Sequence, residues 1–309
     1  MPRILDESLS TASDGDTEIA FFGGSFTGIE RGLMCRLLDT AERYVQAGRA
    51  RGIRLSTRPD MIDDAVLKIL KGYTVTQIEL GLQSMSDRVL EASRRGHTAE
   101  RAATACRQVV ENGFSLVGQM MIGLPQSTLE DELATAKIIC DLGADACRIY
   151  PTVVLRDTPL AAMTERGDYL PLTVEEAVHR AARVLEVFTR RGVDCLRVGL
   201  CASEELTSEA HVVAGANHPA LGELVWNEIY YQRLCSAVSD AGLVGKEIIL
   251  TVSKREISKA VGQHRRNLLR LEREGGTRVR GIHGVEETGV LSVRRVEKKT
   301  NEGEHQLCI

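Results

Sequence analysis

The sequence predicts an α/β protein built on a parallel sheet, and three observations carry that expectation. From residue 17 onward short β-rich apolar runs alternate with helical patterns. The intervals between successive runs hold helical patterns of crossover length, which joins neighbouring strands in parallel. Aromatic residues make up only 4% of the chain while the hydrophobic share is 43%, a balance that favours helices layered on aliphatic strands over an all-β sandwich. At 309 residues the chain has room for one large domain, or a large one and a small one.

Taken in order, the first strand is Glu18 to Phe22, stopped by Gly23 and Gly24, and a helical pattern follows at about Glu30 to Gly48. Gly52 to Thr57 is the next strand, stopped at Arg58 and Pro59, with a helix at about Met61 to Lys71. Gln77 to Leu82 ends on Gln83 and Ser84 and precedes helices at about Ser86 to Ser93 and Ala99 to Asn112. Ser115 to Ile122 ends on Gly123 to Pro125, before a helix at about Ser127 to Leu142. Ala146 to Val153 contains Tyr150 and Pro151, and the helix at about Thr173 to Arg191 leads to a last strand, Asp194 to Gly199. Before Glu18, Ile4 to Ser10 reads as helix and nothing reads as a strand.

Such a βα repeat gives a doubly wound sheet or a full or partial barrel, with right-handed crossovers. In both, ligands meet the C-terminal ends of the strands, where the unusual residues cluster: Gly23 and Gly24, Thr57 and Arg58, Gln83 and Ser84, Gly123 to Pro125, Tyr150 and Pro151. Five strand ends therefore point at one mouth.

Pro219 to Gly242 reads as one more helix, and Gly242 to Gly245 then breaks the pattern. The expected organisation is a barrel domain at 1–243, a small basic α+β domain at 244–296 and a disordered tail at 297–309. In the small domain Glu247 to Val252 reads as a strand, Lys254 to Leu271 as a helix, and Arg278 to Ile282 and Val290 to Val296 as strands.

A formal charge of −4 excludes any global electrostatic reason to bind nucleic acid or an anionic membrane, so such a role would need a local patch. No apolar run reaches spanning length, and Asp6, Glu7 and Ser8 stand where a signal peptide would be apolar, so a cytoplasmic protein is expected. The eight cysteines, at 35, 106, 140, 147, 195, 201, 235 and 308, are irregularly spaced and read as reduced thiols in the core. Cys195 and Cys201 are too few and too far apart to suggest a second metal site.

The paired glycines of Phe21-Phe22-Gly23-Gly24-Ser25 would let a ligand approach the backbone, or would serve a tight turn needing positive φ. They are followed in order by Arg54-Leu55-Ser56-Thr57-Arg58-Pro59-Asp60, Glu79-Leu80-Gly81-Leu82-Gln83-Ser84, Arg94-Arg95-Gly96-His97-Thr98, Gln119-Met120-Met121-Ile122-Gly123-Leu124-Pro125 and Arg148-Ile149-Tyr150-Pro151-Thr152. This series resembles the radical S-adenosylmethionine (SAM) superfamily over roughly residues 17 to 240. Within it the chain is most similar to the elongator catalytic subunit-like branch and more distantly to oxygen-independent coproporphyrinogen oxidase.

The resemblance implies a partial (β/α)6 barrel in which SAM lies across the strand ends and chelates a 4Fe-4S cluster, whose reduction yields a 5′-deoxyadenosyl radical. It implies that Gly23 and Gly24 present backbone groups to the methionyl amino end, with Ser25 where the superfamily often has glutamate. Thr57 and Gln83 would contact ribose or methionyl groups, Arg95 would be a fork for the methionyl carboxylate, and Gln119, Ile122 and Gly123 would line the nucleoside pocket. Arg58 and Tyr150 join the same candidate set. On the residues alone, Arg58 could be a turn residue held extended by Pro59, and Arg94 and Arg95 a solvated helix face. His97 reads as part of a helix start at Thr98.

The superfamily holds its cluster with Cys-x-x-x-Cys-x-x-Cys after the first strand, and no such triplet occurs in these residues. Together with the missing strand before Glu18, this leaves an expected barrel without its first strand, and a polypeptide not expected to perform radical chemistry as written. Either the true start lies upstream or a shortened homologue has lost the chemistry; the exposed apolar edge left around Ile19 to Phe22 favours the first.

In the tail, Lys259-Ala260-Val261-Gly262-Gln263-His264-Arg265-Arg266 puts a basic glycine-containing turn before a helix. It resembles a KH-type RNA-binding module with Arg265 in place of the second glycine of Gly-x-x-Gly. Lys259, Gly262, His264, Arg265 and Arg266 would hold phosphates with salt-sensitive affinity, or form the charged surface of a packing domain. Three functions remain open at this point. They are a radical SAM protein acting on RNA, tRNA modification included; a non-catalytic RNA- or SAM-binding remnant; and a radical SAM enzyme for a small molecule such as a porphyrin.

Overall fold

The computed structural model describes residues 1–10, 17–201 and 211–296. Helix α1 (Pro2–Leu9) precedes strands β1 (Glu18–Phe21), β2 (Gly52–Thr57), β3 (Val75–Gln83), β4 (Ser115–Ile122), β5 (Ala146–Pro151), a short β6 (Val153–Leu155) and β7 (Asp194–Val198). Between them run α2 (Arg31–Gln46), α3 (Asp64–Leu70), α4 (Asp87–Ala92), α5 (Ala99–Glu111), α6 (Leu129–Asp141), α7 (Pro159–Glu165) and α8 (Val174–Arg190). Six strands form one sheet in the order β1-β2-β3-β4-β5-β7, with parallel neighbours throughout. Spatial order follows sequence order without a reversal, which is the topology of a half-barrel and not of a doubly wound sheet.

Strand periodicity divides the sheet into two faces. Ile53 and Leu55 on β2, and Ile78, Leu80 and Leu82 on β3, are wholly buried. They alternate with Arg54, Ser56, Glu79, Gly81 and Gln83, which line an open cavity on the other side. The apolar face packs on the helices: at Gly118 on β4 an added Cβ would lie 2.4 Å from Cγ2 of Ile139 on α6. Helix α8 buries Ala177, Ala181, Val184, Leu185 and Phe188 at three- and four-residue spacing, and its start is fixed by a Thr173–Glu176 capping box.

The expected strand over Ala146 to Val153 is divided after Pro151. Thr152 donates both its N–H and its hydroxyl to the Ile122 carbonyl, at 3.0 and 2.8 Å, turning the chain off the sheet. Strand β6 then pairs antiparallel with β8 (Val212–Gly215).

The chain separates into two compact units, Met1–Gly222 and Glu223–Ile309. The second unit contains most of α9 (Leu221–Asp240), then β9 (Glu247–Ser253), α10 (Ile257–Val261), α11 (Arg266–Gly275), β10 (Arg278–Val285) and β11 (Leu291–Arg295). Strand β9 is central, parallel to β10 and antiparallel to β11. The division falls about twenty residues before the glycine break at Gly242, because Tyr230, Tyr231, Leu234 and Val238 of α9 bury with Ile248, Leu250, Val252, Leu268 and Leu271 in one core. The helix expected over Lys254 to Leu271 is split at Gly262, and the tail expected to be disordered at 297–309 lies outside the described residues. No helix among the described residues is long and apolar enough to cross a membrane.

Candidate functional site

The C-terminal ends of the parallel strands surround an open cavity of about 570 Å³. Gly23 and Gly24, after β1, line it together with Ser25; an added Cβ at either glycine would meet nothing within 4 Å, and Gly23 has φ +102°. Packing within the chain therefore leaves the space beside this backbone open to a ligand.

Thr57, Arg58, Gln83, Arg95, Gln119 and Tyr150 line the same cavity. The Thr57 hydroxyl is already hydrogen-bonded to that of Thr27 at 2.6 Å. Arg58 is a clamp: its Nε and Nη2 donate to the Asp60 carboxylate at 2.9 and 2.8 Å, and Nη2 also donates to the Arg95 carbonyl at 2.9 Å. It ties the end of β2 to the 94–97 loop and is neither a free turn residue nor an available ligand fork. Gln83 adopts φ +65°, and its amide occupies the space a side chain at Gly81 would need, 2.7 Å from the added Cβ. Arg95 is no solvated face: its Nε is buried without a hydrogen-bond partner, and burial pulls its guanidinium below the ordinary arginine range. His97 Nε2–H donates to the Leu82 carbonyl at 3.4 Å while its Nδ1 is buried unpartnered, and the Thr98 hydroxyl caps α5 by accepting from the Arg101 N–H.

Two expected lining residues do not reach the cavity. Ile122 lies three residues from Gln119, so strand alternation turns it to the helix-packed face, where it is fully buried. Gly123 has φ +74° and an added Cβ would lie 2.8 Å from Leu172, so its room is filled by protein. Its N–H donates to Glu132 Oε1 at 2.7 Å and its carbonyl accepts from the Tyr169 hydroxyl at 2.6 Å. Arg180 closes this network on Glu132 at 2.6 and 2.8 Å.

The cavity also gathers groups the motif reading did not assign: Phe22, Arg54, Glu79, Arg148 and Arg197. Arg148 Nε donates to Glu79 Oε2 at 2.8 Å, in a pair with side chains only 13% and 4% exposed. Burial pushes the Glu79 carboxyl above its ordinary value, and Arg148 opposes that. Two guanidiniums approach the Phe22 ring, Arg54 at 5.7 Å and Arg148 at 5.6 Å from its centroid. Strand alternation was the available signal, since charged residues inside otherwise apolar strands must face something polar.

Residues 3–139 match the radical SAM superfamily, and residues 144–231 match the radical SAM C-terminal domain. The chain belongs to the radical SAM superfamily. An uncharacterized protein of Methanocaldococcus jannaschii, MJ0486, is 33% identical over 140 residues, 44% of this chain and 43% of that protein. The tRNA uridine(34) acetyltransferase of the same organism is 31% identical over 146 residues, 46% of this chain and 27% of the enzyme. The solved structure of Methanocaldococcus infernus Elp3 with an N-terminal deletion is similar in fold, with a TM-score of 0.64 and 23% identity over 80% of this chain and 60% of that one. The chain spans less than half the length of these two sequence relatives.

Membership of the radical SAM superfamily implies SAM and a 4Fe-4S cluster. The open backbone at Gly23 and Gly24 and the unpartnered Arg95 Nε fit the amino-acid end of SAM. The cluster is different, for it needs three converging thiolates. Among the described residues no group of three or more His, Cys, Asp or Glu is placed to hold a metal ion. Cys147 and Cys195 are register partners on β5 and β7, and Cys201 alone lines the cavity. The described residues do not fit the cluster.

The basic segment of the second unit forms a turn between α10 and α11. Gly262 has φ +74° and ψ 162°, a conformation essentially confined to glycine, and His264 and Arg265 follow in left-handed conformations at φ +49° and +62°. Asn267 pins the turn: its Nδ2 lies 2.8, 3.2 and 3.3 Å from the carbonyls of Asn227, Lys259 and Ala260. Lys259 Nζ sits 4.8 Å over the Trp226 ring, and Arg266 opens α11. Beside the turn lies a groove of about 360 Å³ with an apolar floor of Val261, Leu268, Val279 and Ile282 and with Arg265 and Arg280 among its walls.

Proposed function

We propose that this chain is the SAM-binding half-barrel of a radical SAM protein that acts on RNA, with the second unit, a KH-like module, as its RNA grip. One observation carries the first part: groups from successive strand ends converge on a cavity where Arg95 Nε is buried without a partner. Arg95 would bind the methionyl carboxylate, the Gly23 and Gly24 backbone the amino group, and Gln83 and Gln119 the sugar hydroxyls. Ser25 and Tyr150 would flank the ligand, while Thr57 and Arg58 act from behind, holding the loops that carry Arg95 and the turn at Thr27. SAM supplies an activated carbon–sulfur bond when bound. Its reductive cleavage would need cluster ligands that the described residues do not supply.

The RNA part rests on the basic turn beside an apolar groove, where a backbone phosphate can meet N–H groups and cations while bases meet the floor. Relatives named for tRNA uridine(34) acetylation make tRNA the first RNA to test. A cytoplasmic location accords with that substrate. A SAM- or RNA-binding protein without chemistry, and a radical SAM protein for a small molecule such as a porphyrin, are the competing readings.

Equilibrium dialysis with SAM tests the cavity. Saturable binding is expected, and Arg95→Gln should weaken it at least tenfold with an unchanged unfolding midpoint. No saturable binding to the wild-type chain up to millimolar SAM would overturn this reading. For the second unit, tRNA affinity should fall as salt rises; salt-independent or absent binding would transfer the case to the small-molecule reading.

A further inference from the structure

The cavity carries more positive charge than SAM can use. Arg54, Arg58, Arg95, Arg148 and Arg197 all line it. Asp60 pairs with Arg58 and Glu79 with Arg148, whereas Arg54, Arg95 and Arg197 make no ion pair among the described residues. SAM brings one carboxylate, which Arg95 would take, but its ammonium and sulfonium make it a net cation. With SAM in place the cavity becomes more positive, not less. Arg197 is exposed, whereas Arg54 and Arg95 are half-buried and share with Arg148 and Arg58 the carboxylates of Glu79 and Asp60, so five guanidiniums face two acids. Half-buried guanidiniums short of counter-charge are costly, and a ligand that supplies the charge offsets that cost.

Arg148 and Arg197 are register partners on β5 and β7, so their side chains rise from adjacent strands. Across the floor, Arg54 has its Nε buried with no hydrogen-bond partner. The Phe22 ring, approached by both Arg54 and Arg148, favours their guanidiniums beside it. Charge-assisted forks of this kind match phosphate oxygens, and a phosphate monoester carries about −1.5 to −2 near neutral pH, matching the two guanidiniums left over.

Resting on the SAM reading above, we infer that the cavity takes, beside SAM, a substrate bearing a phosphate group, held by Arg54 and Arg197 with the outer nitrogens of Arg148. The phosphate comes from a small monoester, which would neutralise both guanidiniums, or from an RNA backbone, a singly charged diester that would neutralise one; either presents its oxygens to the same forks.

Isothermal titration of the full chain with uridine, uridine 5′-monophosphate and the dinucleoside monophosphate UpU tests it, with SAM dialysis run on every variant. Uridine 5′-monophosphate or UpU should bind at least tenfold tighter than uridine. Tighter UpU assigns the phosphate to a backbone, and tighter monophosphate assigns it to a small ester. Arg54→Gln and Arg197→Gln should each remove most of that preference while SAM binding and the unfolding midpoint stay as in wild type; Arg54→Lys should restore part of it. Arg190→Gln, on the exposed side of α8 and outside both sites, should leave it intact. Equal binding of uridine and both phosphate probes overturns the inference, as does a preference that survives both cavity substitutions or disappears with Arg190→Gln. Because SAM is measured separately, retained SAM binding with no phosphate preference sinks this inference alone, and phosphate preference without SAM binding sinks the SAM reading alone.

Discussion

In the half-barrel, charged groups are held by burial; in the second unit they are held by the shape of one turn. Arg180–Glu132 and Arg148–Glu79 have side chains between 2% and 15% exposed. In the second unit Arg280–Glu247 and Lys254–Glu286 are about half exposed or more, and the basic residues are presented by a backbone with positive φ at three of four positions, Gly262, His264 and Arg265. A cavity assembled from many strands depends on networks that keep distant segments in register. A local turn depends on a few dihedral angles.

The sharpest way to break this contrast is to cut one ion pair in each unit. Arg180→Ala strands the Glu132 carboxylate, which also accepts from the Gly123 N–H, in a nearly closed site. It should cost about 3–5 kcal/mol in urea unfolding. Arg280→Ala removes a solvent-screened partner and should leave the urea midpoint almost unchanged. Equal losses would show that the two units do not differ in this way.

Backbone substitutions probe the turn from the other side. Gly262→Ala forces a side chain into a glycine conformation with its Cβ 3.1 Å from Asn267, and should destabilise by about 1–3 kcal/mol. Arg265→Gly relieves a left-handed residue and should stabilise by up to about 1 kcal/mol, while lowering the salt slope of tRNA binding by about 1 if Arg265 contacts a phosphate. Opposite signs in thermal unfolding are the diagnostic result. A destabilising Arg265→Gly would mean that its side chain, and not the turn, holds this region.

The same contrast explains what the sequence disclosed. Strand order and the residues at strand ends were legible because parallel βα units put every strand's C-terminal end on one side. Gly23, Gly24, Gln83, Arg95 and Gln119 accordingly meet at one cavity. Ile122 went astray because it was placed by its neighbours in a motif, although alternation from Gln119 puts it on the opposite face. Arg54, Glu79, Arg148 and Arg197 needed the same parity argument to be seen as inward-facing. The domain boundary was hidden because a glycine-rich break marks a turn, while the apolar face of α9 decides which core the helix joins. In the second unit Gly262 carried the signal for a turn, yet nothing local announced that two non-glycine residues would follow in left-handed conformations.

The smallest expected effect lies at His97, and it tests whether burial governs the 94–97 loop as it governs the ion pairs. Burial pulls the His97 imidazole below its ordinary value of 6.5, with the Leu82 carbonyl opposing and Arg95 adding to the shift. A histidine that resists protonation when folded binds more protons when unfolded, so its stabilising contribution is present above the unfolded value and is lost as pH falls through the folded one. Stability measured by urea unfolding should therefore decline between pH 7.5 and 5.5 in the wild type, and His97→Asn should flatten that decline. The control Arg266→Gln should leave it unchanged. If His97→Asn keeps the full decline, the loop beneath Arg95 is open to solvent, and the buried donor assigned to the SAM carboxylate loses its preorganisation with it.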